Sequence, residues 1–258
     1  MKEIITVCQV QADLIWEQID ANLDMLEAML EHVRSDTDLI VLPETFSTGF
    51  TMQSDLHAEE EDGKALAWMK RMAREKQSFI TGSVITRENN QIFNRLYWVS
   101  PSGVEGHYNK RHLFRMGRED QHFSPGQERP VFHLGDFRFL PQICYDLRFP
   151  VFSRNKGDYD VLLYVANWPV HRHRVWEILL QARAIENQSY VLGTSRSGTD
   201  GLGIGHAGGS CAIDPKGHVM DCLDEKPGLL TSNLNLEELR AFREKFPAWK
   251  DADRFRIE

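Results

Sequence analysis

The chain has few cysteines and no grouping of them that would staple a fold. Four are present among 258 residues, Cys8, Cys144, Cys211 and Cys222, scattered and without a C-x-x-C pair. That spacing offers neither a disulfide framework nor a zinc ribbon, and it reads as reduced thiols in a cytoplasmic protein. Positive charge is also short. Lys and Arg number 30 against 38 Asp and Glu, for a formal net charge of -8. Without a basic excess there is little to displace counterions from a phosphate backbone, so no nucleic-acid partner is expected. A small anionic substrate stays open, because one local arginine can hold a carboxylate against an acidic average. No stretch approaches the roughly 18 apolar residues of a membrane span. The opening MKEIITVCQVQADLIW lacks a signal-peptide core and cleavage site, so no membrane partner or export is expected. No strand leads into G-x-G-x-x-G. Gly201-Leu202-Gly203-Ile204-Gly205 precedes a strand, lacks the helix N-terminus that phosphate needs, and reads as a surface loop. No H-E-x-x-H is present, and His171 and His173 have no distinctive partner pattern, so neither a metal centre, a cofactor nor a Cys–His pair is expected.

What is present is an alternation of strand and helix patterns. Residues 3–10 are rich in β-branched side chains and predict a strand. Residues 19–34 place Ile19, Leu23, Leu26, Leu30 and Val33 on one helical face. Residues 38–42 are an apolar run of the kind buried on both faces of a sheet. A helix is predicted over 63–76 and a strand over 78–85. Two hairpins follow, 92–100 with 104–109 and 131–134 with 137–143, turning at Pro101-Ser102-Gly103 and Gly135-Asp136. Then come a strand over 160–166, a helix over 172–188, strands over 190–196, 207–213, 218–223 and 228–234, and a helix over 235–245. The mixture predicts one α/β domain over residues 1–258, with two sheets packed together and helices covering both outer faces. A doubly wound single sheet is the alternative. The tail, about 246–258, is expected to pack on its own or a partner subunit.

Three places carry candidate chemistry. Glu44 follows the apolar run, at the carboxyl end of a buried strand, where α/β proteins bind ligands and desolvation suits a carboxylate to act as a base. It reads equally as a solvated loop acid. Lys110 follows a hairpin strand and either fixes a positive charge where an oxyanion develops or lies on the surface. Cys144 ends the strand 137–143, at a strand-to-helix junction where backbone N–H groups favour a thiolate, and the N–H of Tyr145 could form half of an oxyanion hole. Its other reading is a small buried hydrophobe.

Taken together, Leu42-Pro43-Glu44, the run from Tyr108 to Phe114 and the run from Cys144 to Phe149 resemble the "LPE", "Y-x-K-x-H-L-F" and "C-Y-D-x-R-F" motifs of the nitrilase, or carbon–nitrogen hydrolase, superfamily. Phe93-Asn94-Arg95, Tyr164 to Pro169 and Ala182 to Asn187 extend the resemblance over nearly the whole chain. Within the superfamily, Lys110 to Met116 and Arg243 to Trp249 resemble bacterial omega-amidases. The resemblance implies a four-layer αββα sandwich and a homodimer. It implies hydrolysis of the terminal amide of 2-oxo acids such as 2-oxoglutaramate and 2-oxosuccinamate, with water as the second substrate. It also implies a catalytic set of Glu44, Lys110 and Cys144. A second family glutamate falls on Glu119, as a support or a structural ion pair. A substrate carboxylate then needs a cation. Arg148 is the first candidate, unless it pairs with Asp146, and Arg115 is the second. Trp168 walls the pocket or packs in the core. The competing functions are another amidase, such as a deaminated-glutathione amidase, and an inactive scaffold of the same fold.

Overall fold

Alternating apolar side chains build strands whose two faces are both covered. In the computed structural model, which describes residues 2–257, those strands form two six-stranded sheets, with β10 and β11 pairing apart as a two-stranded ribbon. Met1 and Glu258, the ends of the expected domain and tail, lie outside the described residues. The order is β1 (Ile4–Gln11), α1 (Ile19–Leu30), β2 (Leu39–Val41), α2 (Ser54–His57), α3 (Lys64–Lys76), β3 (Phe79–Glu88), β4 (Gln91–Ser100), β5 (Gly103–Asn109), β6 (Phe132–Leu134), β7 (Phe137–Ile143), α4 (Pro150–Ser153), β8 (Val161–Ala166), α5 (His173–Asn187), β9 (Tyr190–Ser195), β10 (Ser197–Thr199), β11 (Gly205–Ala207), β12 (Cys211–Ile213), β13 (Val219–Cys222), β14 (Gly228–Asn235) and α6 (Leu236–Lys245).

The first six-stranded sheet runs β14-β1-β2-β3-β4-β5 and the second runs β13-β12-β9-β8-β7-β6. Parallel pairing at the centre of each, β1-β2-β3 and β7-β8-β9, passes into antiparallel pairing toward the edges. Strand alternation sorts the side chains into layers. Leu39 and Val41 of β2, with Val161, Leu163 and Val165 of β8, face the core between the sheets. Ile40 and Leu42 turn outward to the helix layer of α1 and α3, with Leu26, Met69 and Met72. Leu162, Tyr164 and Ala166 turn the other way, to Trp176, Leu180 and Ala184 of α5. The result is helix, sheet, sheet, helix, the four-layer αββα arrangement. The tail stays partly on its own subunit. Gln188 donates to the Phe246 carbonyl at 2.8 Å, and Ile257 packs against the inter-sheet core.

Local differences from the sequence reading have local causes. Helix α1 stops at Leu30, not at residue 34, yet Val33 still packs on the core from the turn that follows. The expected strand 207–213 breaks into β11 and β12 because Gly208 and Gly209 hold φ of 65° and 72°, a left-handed conformation that strands do not use. A Cβ at Gly208 would lie 2.3 Å from the Gln11 amide, so the site admits only glycine. Asn89 and Asn90, with φ of 50° and 62°, close a two-residue turn that joins β3 to β4 in a hairpin.

Burial sets a pH limit on this core. Cys8 is pushed up to about 11 and Cys211 to about 12, chiefly by desolvation. Both thiols therefore stay protonated in the folded state where the unfolded chain would release the proton. Their contribution is intact below the ordinary thiol value and is lost progressively as pH climbs toward the raised ones. Denaturant melts are expected to lose on the order of 2–4 kcal/mol between pH 8 and 11, and replacing both residues by Ala should flatten part of that slope.

Candidate active site

Strand β2 ends at Val41, and Leu42-Pro43 carries the chain over the sheet edge to Glu44, which is fully buried. The next residue, Thr45, sits at φ 44°, strained for a β-branched side chain, and its N–H is held by Ser83 Oγ at 2.8 Å. Glu44 is saturated. Its Oε1 accepts from Asn94 Nδ2 and Lys110 Nζ, both at 2.8 Å. Its Oε2 accepts from the Asn167 N–H at 2.8 Å. Asn94 lies within β4 and Asn167 directly follows β8, so one carboxylate joins both sheets.

Lys110 follows β5 and is 1% exposed. Its ammonium also donates to Glu119 Oε1 at 2.9 Å. Burial alone pushes that ammonium down, but the charges of Glu119 and Glu44 more than reverse it, and the group stays protonated. Glu119 is raised as well, for a different reason. Burial raises its carboxyl, and Glu44 adds to this against Lys110. Its Oε2 accepts the Phe114 N–H at 2.6 Å, which ties the 114–119 turn to the lysine. Gly126 packs on the same backbone, its N–H donating to the Lys110 carbonyl at 2.9 Å; a Cβ there would stand 2.1 Å from the Asn109 oxygen.

Cys144 opens a tight 3-10 turn, Cys144–Arg148, directly after β7, with φ at 45°. Asp146 holds this turn in place. It is fully buried and accepts the Ile143 N–H at 2.9 Å, the Tyr108 hydroxyl at 2.7 Å and the His112 N–H at 3.0 Å. The Cys144 turn and the Lys110 segment are thereby locked to each other. The pull of the turn's N–H groups toward a thiolate meets opposition here. Desolvation, then the charge of Glu44, hold the Cys144 thiol well above its ordinary value, and Lys110 opposes them too weakly to reverse it. The backbone donors at the turn do not outweigh a neighbouring carboxylate.

Cys144 opens onto a cavity of about 240 Å³ that Lys110, Tyr145, Arg148 and Trp168 also line. Trp168 takes both of its sequence readings. It walls the cavity and packs against Trp176 in a tilted pair, with ring centroids 5.3 Å apart. Arg148 is exposed and lies 5.8 Å over the Trp168 ring; Asp146 is spent on Ile143, Tyr108 and His112, so the expected pairing of the two is not formed. Arg115 is not brought to the cavity. It is exposed on a separate groove with Arg111, His112 and Asp120, because the Arg115–Gly117 turn directs it outward. The sequence reading gave no role to Asn94, Asn167 or Arg172, and gave Asp146 only that of an alternative partner for Arg148. Asn94 and Asn167 do break apolar strand runs, a signal that a buried polar partner waits there. The glycine-rich loop is the exposed turn between β10 and β11, and its Leu202 and Ile204 border the cavity.

Residues 4–244 match the carbon-nitrogen hydrolase family. The chain is 42% identical over 254 residues to omega-amidase YafV of Escherichia coli K12, covering 98% of each. It is 33% identical over 254 residues to 2-oxoglutaramate amidase of Bacillus subtilis, covering 95% of this chain and 96% of that one. Among solved structures, a CN-hydrolase superfamily protein of Xanthomonas campestris, which carries an arsenic adduct in its active site, superposes with a TM-score of 0.97 at 39% identity over the whole of both chains.

The left-handed backbone at residue 144 predicts a stability difference that is separate from chemistry. Glycine adopts this conformation without the Cβ penalty, so Cys144→Gly should be more stable than Cys144→Ala by about 1 kcal/mol in urea melts. Equal stability would mean that the turn carries no strain at this position.

Proposed function

The chain belongs to the carbon–nitrogen hydrolase family and is a hydrolase acting on amides, and from that premise we propose that it is an omega-amidase, releasing ammonia from the terminal amide of short 2-oxo acids such as 2-oxoglutaramate and 2-oxosuccinamate. The observation that carries the chemistry is the buried contact of Glu44 with Lys110, beside a cavity onto which Cys144 opens. A cavity of about 240 Å³ suits a short acid better than a deaminated tripeptide, which favours this reading over a deaminated-glutathione amidase. A saturated charge cluster next to a strained thiol also argues against an inert scaffold.

The reaction follows from the side chains. The thiol rests protonated, so attack and deprotonation occur together. Glu44 takes the proton as the Cys144 sulfur bonds to the amide carbon. The oxyanion that forms is held by the Lys110 ammonium and the Tyr145 N–H. Collapse breaks the carbon–nitrogen bond, and Glu44 returns the proton to the leaving nitrogen, giving ammonia and a thioester. Water then enters. Glu44 takes its proton, the hydroxyl attacks the thioester, and the carbon–sulfur bond breaks with the proton going back to sulfur. Glu119 keeps Lys110 charged and aimed throughout. Arg148 offers a guanidinium to the 2-oxo acid end of the substrate, and Trp168 walls the chain between the two ends.

A second copy of the chain is the inferred protein partner. Ile178 and Ile185 on the outer face of α5 are 48% and 57% exposed, and Phe246 and Trp249, in the segment after α6, are 61% and 50% exposed. That much apolar surface around one helix suits an interface. Sedimentation should report a dimer, and Ile185→Glu should shift it toward monomer; a wild-type monomer at micromolar concentration would refute the assembly.

Ammonia release from 2-oxoglutaramate, 2-oxosuccinamate, glutamine and a simple aliphatic amide tests the activity. The 2-oxo amides should be preferred, and Cys144→Ala should remove all turnover. Glu44→Gln should also abolish hydrolysis, yet its thiol should react faster with iodoacetamide, because the charge that raises it is gone. Turnover that survives Cys144→Ala would overturn the mechanism.

A further inference from the structure

The recognition half of the cavity holds a second guanidinium that the reading so far leaves unused. Arg172 ends the turn Val170–Arg172 and lines the same cavity as Cys144 and Lys110. It is half-buried, and its contacts are soft. One Nη lies 3.5 Å from the Met116 sulfur, and the guanidinium stands 5.1 Å from the centroid of the Phe114 ring. No carboxylate pairs with it among the described residues. The acid that lines this cavity, Asp200, is engaged elsewhere. It accepts the N–H groups of Leu202 and Ile204, both at 2.9 Å, and faces His206 Nε2 at 3.3 Å.

A guanidinium withdrawn from water without an anion forfeits hydration that an aromatic face and a thioether replace only in part. Its position is nevertheless well defined. The Trp168 indole N–H donates to the Arg172 carbonyl at 2.8 Å, and Trp168 directly follows Asn167, whose N–H holds Glu44. One short stretch of chain therefore fixes the base and, a few residues on, presents an unpaired cation to the cavity. Nearby walls are apolar, from Phe50, Met52, Phe114 and Leu202.

We propose that Arg172 is a specificity-determining residue that grips the carboxylate of the substrate, selecting acidic amides over neutral ones. This rests on the omega-amidase reading for the 2-oxo group but not for the acid. The planar fork takes both carboxylate oxygens, the apolar wall accommodates the methylenes, and Arg148, exposed over Trp168, is left for the neighbouring keto oxygen.

The experiment compares 2-oxoglutaramate with its neutral methyl ester, which differs only in the charge at the far end, on wild type, Arg172→Met and Arg172→Lys. Wild type should prefer the acid. Arg172→Met should raise KM for the acid by roughly 10- to 100-fold while kcat changes much less, and the acid-to-ester selectivity should collapse. Arg172→Lys, which keeps the charge but loses the fork, should recover part of it and guards against a merely misfolded Met variant. An equal loss on acid and ester, or an unchanged KM for the acid, would overturn the proposal. If the wild type instead prefers an acidic amide without a 2-oxo group, the omega-amidase reading fails; the same comparison on that amide and its ester then decides Arg172. A wild type that prefers the ester would overturn both.

Discussion

The ammonium of Lys110 between Glu44 and Glu119 is the contact on which the rest of the site depends. Each of the three groups would be costly to bury alone, and none has solvent to fall back on. Their mutual pairing, with Asn94, the Asn167 N–H and the Phe114 N–H filling the remaining lone pairs, makes the burial tolerable. The same contacts join β4 and β5 of one sheet to the end of β8 in the other. The two sheets thus meet through a greasy core along most of their length and through a charge cluster at one end, the end at which Cys144 opens onto the cavity.

Burial first, and then the cluster's net negative charge, explain the protonated thiol. A cysteine paired with a cationic histidine is held as a thiolate before substrate arrives. Here the neighbouring group is a carboxylate, so ionising the sulfur would place two negative charges side by side, with one ammonium already shared between two acids. The proton therefore stays on sulfur until a reacting carbon can accept the electron pair. A resting thiol of this kind is protected from adventitious oxidation and alkylation, since the thiolate is the reactive form.

Much of this was legible in the sequence. Apolar runs such as 39–42 and 161–166 marked strands covered on both faces, and a Glu, a Lys and a Cys stood at strand ends, where side chains converge. What the sequence did not reveal depends on contacts distant in the chain. The Cys144 thiol looked activated because its own turn supplies N–H groups, but the opposing charge comes from Glu44, far away in sequence. Arg115 and Arg172 are indistinguishable by residue type; only the direction of two short turns sends one to an outer groove and the other to the cavity. Asp146 carried a local signal, two residues past Cys144, yet its partners Tyr108 and His112 come from a strand of the other sheet and the segment after it.

The site divides into halves with different tolerance to change. The half that holds Glu44, Lys110 and Cys144 is built from strand ends whose charged groups are buried and paired, so a substitution there leaves a stranded charge or an unfilled donor. The recognition half is built from the turn at 115–117, the turn at 170–172 and the β10–β11 connection, where Met116 is 74% exposed, Leu202 69% and Ile204 39%. Residues so exposed carry little of the core's packing energy and can be exchanged at small cost to stability. Substrate choice can therefore vary on this scaffold through its turns while the Glu–Lys–Cys cluster stays as it is.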